Sequence, residues 1–467
     1  MAGTVSSLGI GSSVLTADVI DKLKANDVAN MITPLDNKIT YEKQKKSALD
    51  LLNSLLTSFK GSVSALDNDA LYQKRSVSGG NDYVGVSAES GVSIQSFSIS
   101  NTVLAQKNVL ESGSFSAATA KVATGSGTMS LSIDGETFDI DYTDATTLED
   151  LKNSINTIAG DKIKATTLQV GADDYRLVLT SAETGANQTI TISDSAAGAL
   201  NNTLLSYDET LNPDGVKEIQ AARDASFKYN GISITRSTNT IDDIITGVTL
   251  QLKGETTTVA NISISQNVDA INEEMNGFVS NYNTLISQLD SMTTSDTKEG
   301  KVGIFNGDNT INAIKREISR YISTSDENGY SLAVFGIDLK EDGTMTFDAS
   351  TFSTKFQEDS TLAEQFLSGS STTDANGDLV LTDGIFTSFT ALMDRYTSSK
   401  GLISNLVTAS SSELTSLEKN KTRTQALLDA RYEAMASKFA QYDAIISKIN
   451  NQFAALQQQI DAMANDS

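Results

Sequence analysis

Apolar positions recur along the chain with two different periods, and the change of period divides it. From Leu428 onward they fall alternately four and three residues apart: Leu428, Tyr432, Met435, Phe439, Tyr442, Ile446, Ile449, Phe453, Leu456, Ile460 and Met463. This a/d seam contains no proline or glycine and predicts one amphipathic helix roughly 54 Å long at ~1.5 Å per residue. A small domain cannot cover so long a seam, so it predicts a helical partner. Upstream the register falters, with Lys421 and Thr424 near the seam before Leu417 and Leu414. Polar seam residues mark a bend or a change of partner.

The N-terminal segment carries the same alternation at Leu49, Leu52, Leu56, Phe59, Val63 and Leu66, and a looser stripe at Leu15, Val19, Leu23, Val28, Met31 and Leu35. Thr16 and the first-turn Asp18 are helix-start signals. Pro34 should kink or divide the helix. The first dozen residues, rich in Gly and Ser, are expected to be extended or disordered until bound. For both terminal seams, packing within one domain and pairing between termini or subunits remain open.

Between the helical ends the period becomes two. Phe97, Ile99 and Val103 alternate with small polar residues, and Leu131, Ile133, Phe138 and Ile140 flank Asp134-Gly135, a hairpin turn signal. Thr147 with Asp150 predicts a capped short helix bearing Leu148, Leu151, Ile155 and Ile158 on one face. Further strands are expected at Tyr175 to Thr180, Thr189 to Ser193, Phe227 to Thr235, Val248 to Leu252 and Val259 to Ile264. Helix returns at Asp269–Met292 and Asn309–Ile322. A hairpin follows over Phe335 to Phe347, then short helices around Leu362–Leu367 and Ile385–Tyr396, with a turn at Asp374–Asp378 between them. The fold class expected is multidomain α+β: long coiled-coil-type helices from both termini, a helical second domain, and β-rich central domains inserted between them.

Composition narrows the chemistry. The 467 residues include no His, Cys or Trp and only two Pro. There is therefore no imidazole base, thiolate nucleophile, disulfide or His/Cys metal site. No stretch approaches the ~18 apolar residues of a membrane span, so no membrane insertion is expected. Residues Met1 to Leu8 lack the basic and apolar regions of a cleaved signal, which leaves the cytosol as the default expectation from the residues alone. The formal charge is −24, a poor match to phosphate backbones, so no nucleic-acid partner is expected. That charge is uneven. Residues 1–75 carry net +1 and residues 402–467 net −1, whereas 76–266 and 267–401 carry −12 each. Like charge opposes close assembly of the middle segments and spares the ends.

Candidate sites for small-molecule chemistry are weak. Gly9-Ile10-Gly11 and Gly125-Ser126-Gly127 lack the strand–turn–helix setting of a phosphate loop. Asp374 to Asp378 superficially suggests a calcium loop, but Ile385 stands at the twelfth position where glutamate belongs. Asp173-Asp174 and Asp242-Asp243 read as solvated acids, because neighbours on a strand point to opposite faces. A carboxylate hydrolase would need two acids at a defined separation, and nothing in the sequence singles out a pair. No catalytic residue, cofactor or metal is expected.

Four stretches, taken together, resemble the flagellar filament cap protein family, also called hook-associated protein 2. They are Val5 to Ser12 with its Leu8-Gly9-Ile10-Gly11 core; Thr147 to Asn156 with the strand around Tyr175-Arg176-Leu177, similar to the flagellin hook IN motif; Asn230 to Ile241 continuing through Ile244 to Leu250; and Leu332 to Phe347. The resemblance implies a structural assembly factor rather than an enzyme. Such a protein is exported by the flagellar type III system without cleavage and forms a homo-oligomeric ring, a pentamer, at the distal filament tip. There it would promote flagellin polymerisation and prevent leakage. Implied partners are flagellin, the hook–filament junction protein and a cytoplasmic export chaperone. The family plan places terminal legs at 1–40 and 430–467 and a helix-rich coiled-coil domain at 41–75 and 267–429. It places a β-rich plate at 76–112 and 222–266, with the IN-like domain inserted at 113–221. Expected contacts with filament helices are Leu8, Ile10, Leu15, Val19 and Leu23 together with the seam from Leu428 to Met463. Another axial protein (flagellin or a junction protein) and a tip adhesin binding mucin or host surface are the alternatives.

Overall fold

The computed structural model describes residues 17–196, 199–205, 208–296, 301–325, 329–373 and 379–465. The predicted turn at Asp374–Asp378 lies outside them. The helices are α1 Ala17–Met31, α2 Thr33–Leu66, α3 Asp69–Tyr72, α4 Leu148–Ile158, α5 Val268–Thr293, α6 Asn309–Ile322, α7 Ala349–Glu358, α8 Ser360–Ser368, α9 Ile385–Thr397 and α10 Leu402–Asn465. The chain divides into two compact units, Met1–Asp69 with Val268–Ser467, and Ala70–Asn267.

In the helical unit, the predicted stripe of α2 is buried along its whole length from Leu49 to Leu66. It packs against α5, α9 and the upstream part of α10. The core is aromatic. Phe59 stacks on Phe278 with centroids 5.3 Å apart and meets Phe389 edge-on at 5.4 Å, geometries the ring quadrupole favours. The predicted hairpin pairs Ile337–Leu339 with Met345–Phe347. Asn283 of α5 holds it, accepting from Met345 N at 2.7 Å and donating to Met345 O at 2.9 Å. Helix α7 was not expected from the periodicity. Asp348 caps it by accepting from Ser350 N and Thr351 N, and Phe352 and Phe356 anchor it. The carboxyl of Asp348 is held down to about 2 by its hydrogen bonds from Ser350 and Thr351.

The β-rich unit has two hydrophobic cores. The first lies in antiparallel sheets. One has the order Arg75–Gly79, Ala260–Gln266, Gln95–Val103, Ala225–Tyr229, Ile232–Arg236; the other, Thr240–Ile245, Val248–Leu252, Val84–Ala88. Phe97, Ile99, Phe227, Leu250 and Ile262 share its interior. Phe227 to Thr235 is two strands rather than the single one expected. Asn230 (φ 46°) and Gly231 (φ 85°) turn the chain between them, and Ala225–Tyr229 pairs with Ile232–Arg236. Both residues with positive φ is the signature of the tight hairpin turn that matches strand twist.

The second core combines the sheet Lys217–Gln220, Val109–Glu111, Asp174–Ser181, Ile163–Gly171 with the sheet Glu136–Tyr142, Gly127–Ile133, Thr191–Asp194, and with α4. Asp134 (φ 51°) and Gly135 (φ 75°) make the expected turn. Thr147 and Asp150 form the expected capping box. Leu148, Leu151 and Ile155 are buried, whereas Ile158, expected on the same face, is 47% exposed and Ala159 takes the buried place. Ala159 stands four residues after Ile155 and eight after Leu151, and so continues their face at the end of the helix.

A candidate helical docking surface

Helix α10 is continuous over 64 residues, so the polar seam positions around Lys421 change its partner without breaking it. Upstream it pairs antiparallel with α2. Lys43 meets Glu418 at 3.2 Å, Lys421 meets Asp36 at 2.5 Å, and Ser410 Oγ donates to Glu42 at 3.1 Å. At Pro34 the N-terminal helix divides as expected. α1 ends at Met31 and α2 begins at Thr33, with the proline in its first turn, where the missing N–H costs no helical bond. Ile32 keeps helical φ and ψ and donates to Val28 O, so α1 continues nearly in line along α10.

A small core joins α1 to α10. Ile20, Ile32, Leu428 and Tyr432 are buried in it, with Val28, Met435 and Phe439 half-buried against them. The looser stripe expected on α1 meets α10 only in part, through Val28. Val19 is half-buried, Leu23 is 46% exposed and Met31 48% exposed, while Ile20 and Ile32 face inward. The fourfold spacing Ile20–Val28–Ile32 carried that signal. Charge borders this core. Lys24 Nζ lies 2.7 Å from Asp429, Arg431 lies 3.2 Å from Asp27, and Tyr432 Oη donates to Asp27 at 2.7 Å. The carboxyl of Asp429 is lowered, chiefly by the hydrogen bond from Lys24. The Tyr432 phenol is raised, chiefly by its bond to Asp27.

Beyond Phe439 the seam continues without this cover. Tyr442, Ile446, Ile449, Phe453, Leu456 and Ile460 are all exposed, Phe453 by 72%. Ile445, which the a/d reading omitted, is 54% exposed beside them and widens the stripe. The antiparallel pairing of Asp27 with Arg431 and Asp36 with Lys421 brings Ala17, the first described residue, level with about residue 441, and just beyond it Asp443 is still buried, at 6% exposure. Leu8, Ile10 and Leu15, the opening motif Val5–Ser12 and the side chain of Met463 lie outside the described residues. Among the described residues, no group of three His, Cys, Asp or Glu is placed to hold a metal ion, and no helix is long and apolar enough to cross a membrane.

A continuous apolar stripe on a solvent-exposed helix is a surface for another helix. Comparison with known proteins gives this surface a context. The profile described as "Flagellar hook-associated protein 2 N-terminus" matches residues 12–108, and that described as "Flagellar hook-associated protein 2 C-terminus" matches residues 222–451. The chain belongs to the flagellar hook-associated protein 2 family.

Among its relatives, flagellar hook-associated protein 2 of Campylobacter jejuni is 32% identical over 78% of this chain and 64% of its own length. That of Helicobacter pylori is 36% identical over 53% of this chain and 37% of its own length. The chain thus spans less than two thirds of these two relatives. The protein of the same description from Escherichia coli K12 is 26% identical over 99% of both chains. A crystal structure of the D1-D2-D3 domains of the flagellar cap protein from E. coli aligns with a TM-score of 0.56 at 25% identity. The alignment covers 78% of this chain and 99% of that one. Long terminal helices around a β-rich middle are thus the hook-associated protein 2 architecture, as the sequence led us to expect.

Proposed function

We propose that the protein caps the distal tip of the bacterial flagellar filament, promotes polymerisation of exported flagellin and prevents its leakage. The observation that carries this reading is the bare stripe from Tyr442 to Ile460 on α10. It offers a filament end an apolar helix face about 27 Å long at ~1.5 Å per residue. The family description and the cap structure from E. coli support this role over flagellin, a junction protein or an adhesin.

In this reading the protein works by shape and assembly, without catalysis or cofactor. Residues 1–40 and 430–467 act as legs in the filament end, with 41–75 and 267–429 as the helix-rich domain above them. Residues 76–112 and 222–266 form the plate, with 113–221 inserted in it. The subunits form a ring of five. Val19, Leu23 and the seam residues meet helices of flagellin or of the hook–filament junction protein. The chain reaches the tip through the flagellar type III system, held before export by a cytoplasmic chaperone. Each seam side chain buried on docking contributes about 1.5–3 kcal/mol gross, much of it offset by ordering entropy. A leg bound this way can release and rebind as each flagellin arrives.

The test is Phe453→Asp and Ile446→Asp in a strain lacking the wild-type protein. Both positions are exposed in the free chain, so folding should survive. Filament growth should stop and flagellin should appear in the medium. Normal motility would overturn the reading.

A further inference from the structure

The flanks of α10 keep their charge through Asp443 and Lys448 and lose it from Ile449 to Ile460. In the covered stretch the positions bordering the seam are charged: Asp429 pairs with Lys24, and Arg431 with Asp27. Three heptads further on, the same two positions are Asn450 and Gln452, and one heptad beyond those they are Gln457 and Gln459. No charged side chain occurs from Ile449 to Ile460, although the apolar repeat of Ile446, Ile449, Phe453, Leu456 and Ile460 continues unchanged. Flanking positions of a coiled-coil seam set partner choice and orientation. One helix thus presents two docking surfaces with the same apolar repeat and different selectors.

Resting on the docking role given above, we infer that the exposed half of α10 selects an amphipathic helix whose own apolar stripe is flanked by uncharged amide and hydroxyl side chains, and that this docking is insensitive to salt. A charged flank laid against Gln452, Gln457 and Gln459 is partly desolvated and finds no counter-charge. An amide flank exchanges hydrogen bonds with them. The same logic keeps α1 in place. Its Asp18, Asp21, Lys22, Lys24 and Asp27 match the charged stretch of α10 and mismatch the amide stretch, so α1 does not slide onto the surface meant for the partner. A lipid surface is the wrong occupant, because an interfacial helix carries a Lys/Arg-rich polar face and residues 449–460 carry none.

The experiment titrates the full-length chain with three labelled 21-residue heptad peptides, identical in Ile at a and Leu at d, with Gln, Glu or Lys at every flanking position. Wild-type protein should bind the Gln peptide about tenfold tighter than either charged one. Its Kd should change less than about twofold between low and high NaCl. Gln452→Lys combined with Gln459→Lys should move the preference to the Glu peptide and make binding fall with salt. Equal or tighter binding of a charged peptide by the wild type, or a salt-dependent Kd for the Gln peptide, overturns the inference. So does binding that begins only after residues 1–16 are removed, since the chain's own N-terminus would then be the occupant. Phe453→Asp separates this from the function itself. If the wild type shows no preference for the Gln peptide and Phe453→Asp abolishes peptide binding, the docking surface stands and only its selector is wrong. If the variant binds every peptide as the wild type does, the docking role fails as well.

Discussion

Tyr432 of α10 donates its phenolic hydrogen to Asp27 of α1 across 2.7 Å, and Arg431 reaches the same carboxylate at 3.2 Å. This carboxylate, with the Lys24–Asp429 pair, ties α1 to the long helix at the edge of a core of only a few side chains. Asp27→Ala should release α1 while leaving α2 docked, since α2 has its own buried stripe. Hydrogen exchange should quicken across residues 17–31 and stay unchanged across 49–66. The Tyr432 phenol, raised by Asp27, should fall back toward the ordinary tyrosine value. Because that raised value belongs to the folded chain, its contribution is present at neutral pH and is lost as pH rises through the phenol's titration.

Phe59 has no exposed surface and touches the rings of Phe278, Tyr282 and Phe389. It joins the three helices α2, α5 and α9 at one point. Phe59→Ala leaves a cavity that three rigid rings cannot collapse into, at a cost of about 3–5 kcal/mol. Phe59→Leu retains most of the volume and should cost clearly less. Denaturant titration of the two variants measures both. Equal, small losses would mean that the aromatic cluster repacks freely.

In the β-rich unit the Tyr142 hydroxyl is pushed up to about 12, by burial first and then by its hydrogen bond to Asp194. The folded value exceeds the unfolded one, so the contribution is fully present below about 10 and is lost as pH rises toward 12. Several phenols ionise late, Tyr396 and Tyr432 among them, so titration of phenolate absorbance should lose one of them in Tyr142→Phe. The same variant should flatten the alkaline limb of the stability profile. An unchanged titration would place the late phenol elsewhere.

Regular spacing made α2, α10, α6 and the capped α4 legible before any coordinates, because each has a full apolar stripe or a complete cap. Helix α7 was not legible. ASTFSTKFQE offers only Phe352 and Phe356 one turn apart, and its start depends on Asp348 catching two backbone N–H groups. On α1, Val19 and Ile20 are adjacent, and only the position of α10 decides which of their two faces is covered. Most of the candidate site was visible as a seam, but its division was not. Spacing is uniform from Leu428 to Ile460, whereas its side chains are buried or half-buried as far as Phe439 and exposed from Tyr442 onward.

The turn at Asn230-Gly231 lies in one of the stretches that carry the family resemblance, and its geometry gives a physical reason for both residues. Gly231 sits at φ 85° with no atom within 4 Å of where a Cβ would stand, so a side chain there meets no clash and the cost is purely backbone. Gly231→Val forces a β-branched residue into the left-handed region, at about 1–2 kcal/mol. Asn230 tolerates φ 46° as few other residues do, and its side-chain oxygen accepts from Ser98 N at 2.8 Å, tying the hairpin to the neighbouring strand. Asn230→Gly should therefore keep the turn but lose that tie, whereas Gly231→Val keeps the tie and strains the turn. Neighbouring positions in one turn are expected to couple, so losses close to additive would mean that the hairpin holds its register. A double-variant cycle by thermal unfolding reads this directly. A strongly non-additive result would show that Ile232–Arg236 slips against Ala225–Tyr229 when the turn is disturbed, and a one-residue slip would turn Ile232 and Ile234, which share a face, to the other side together.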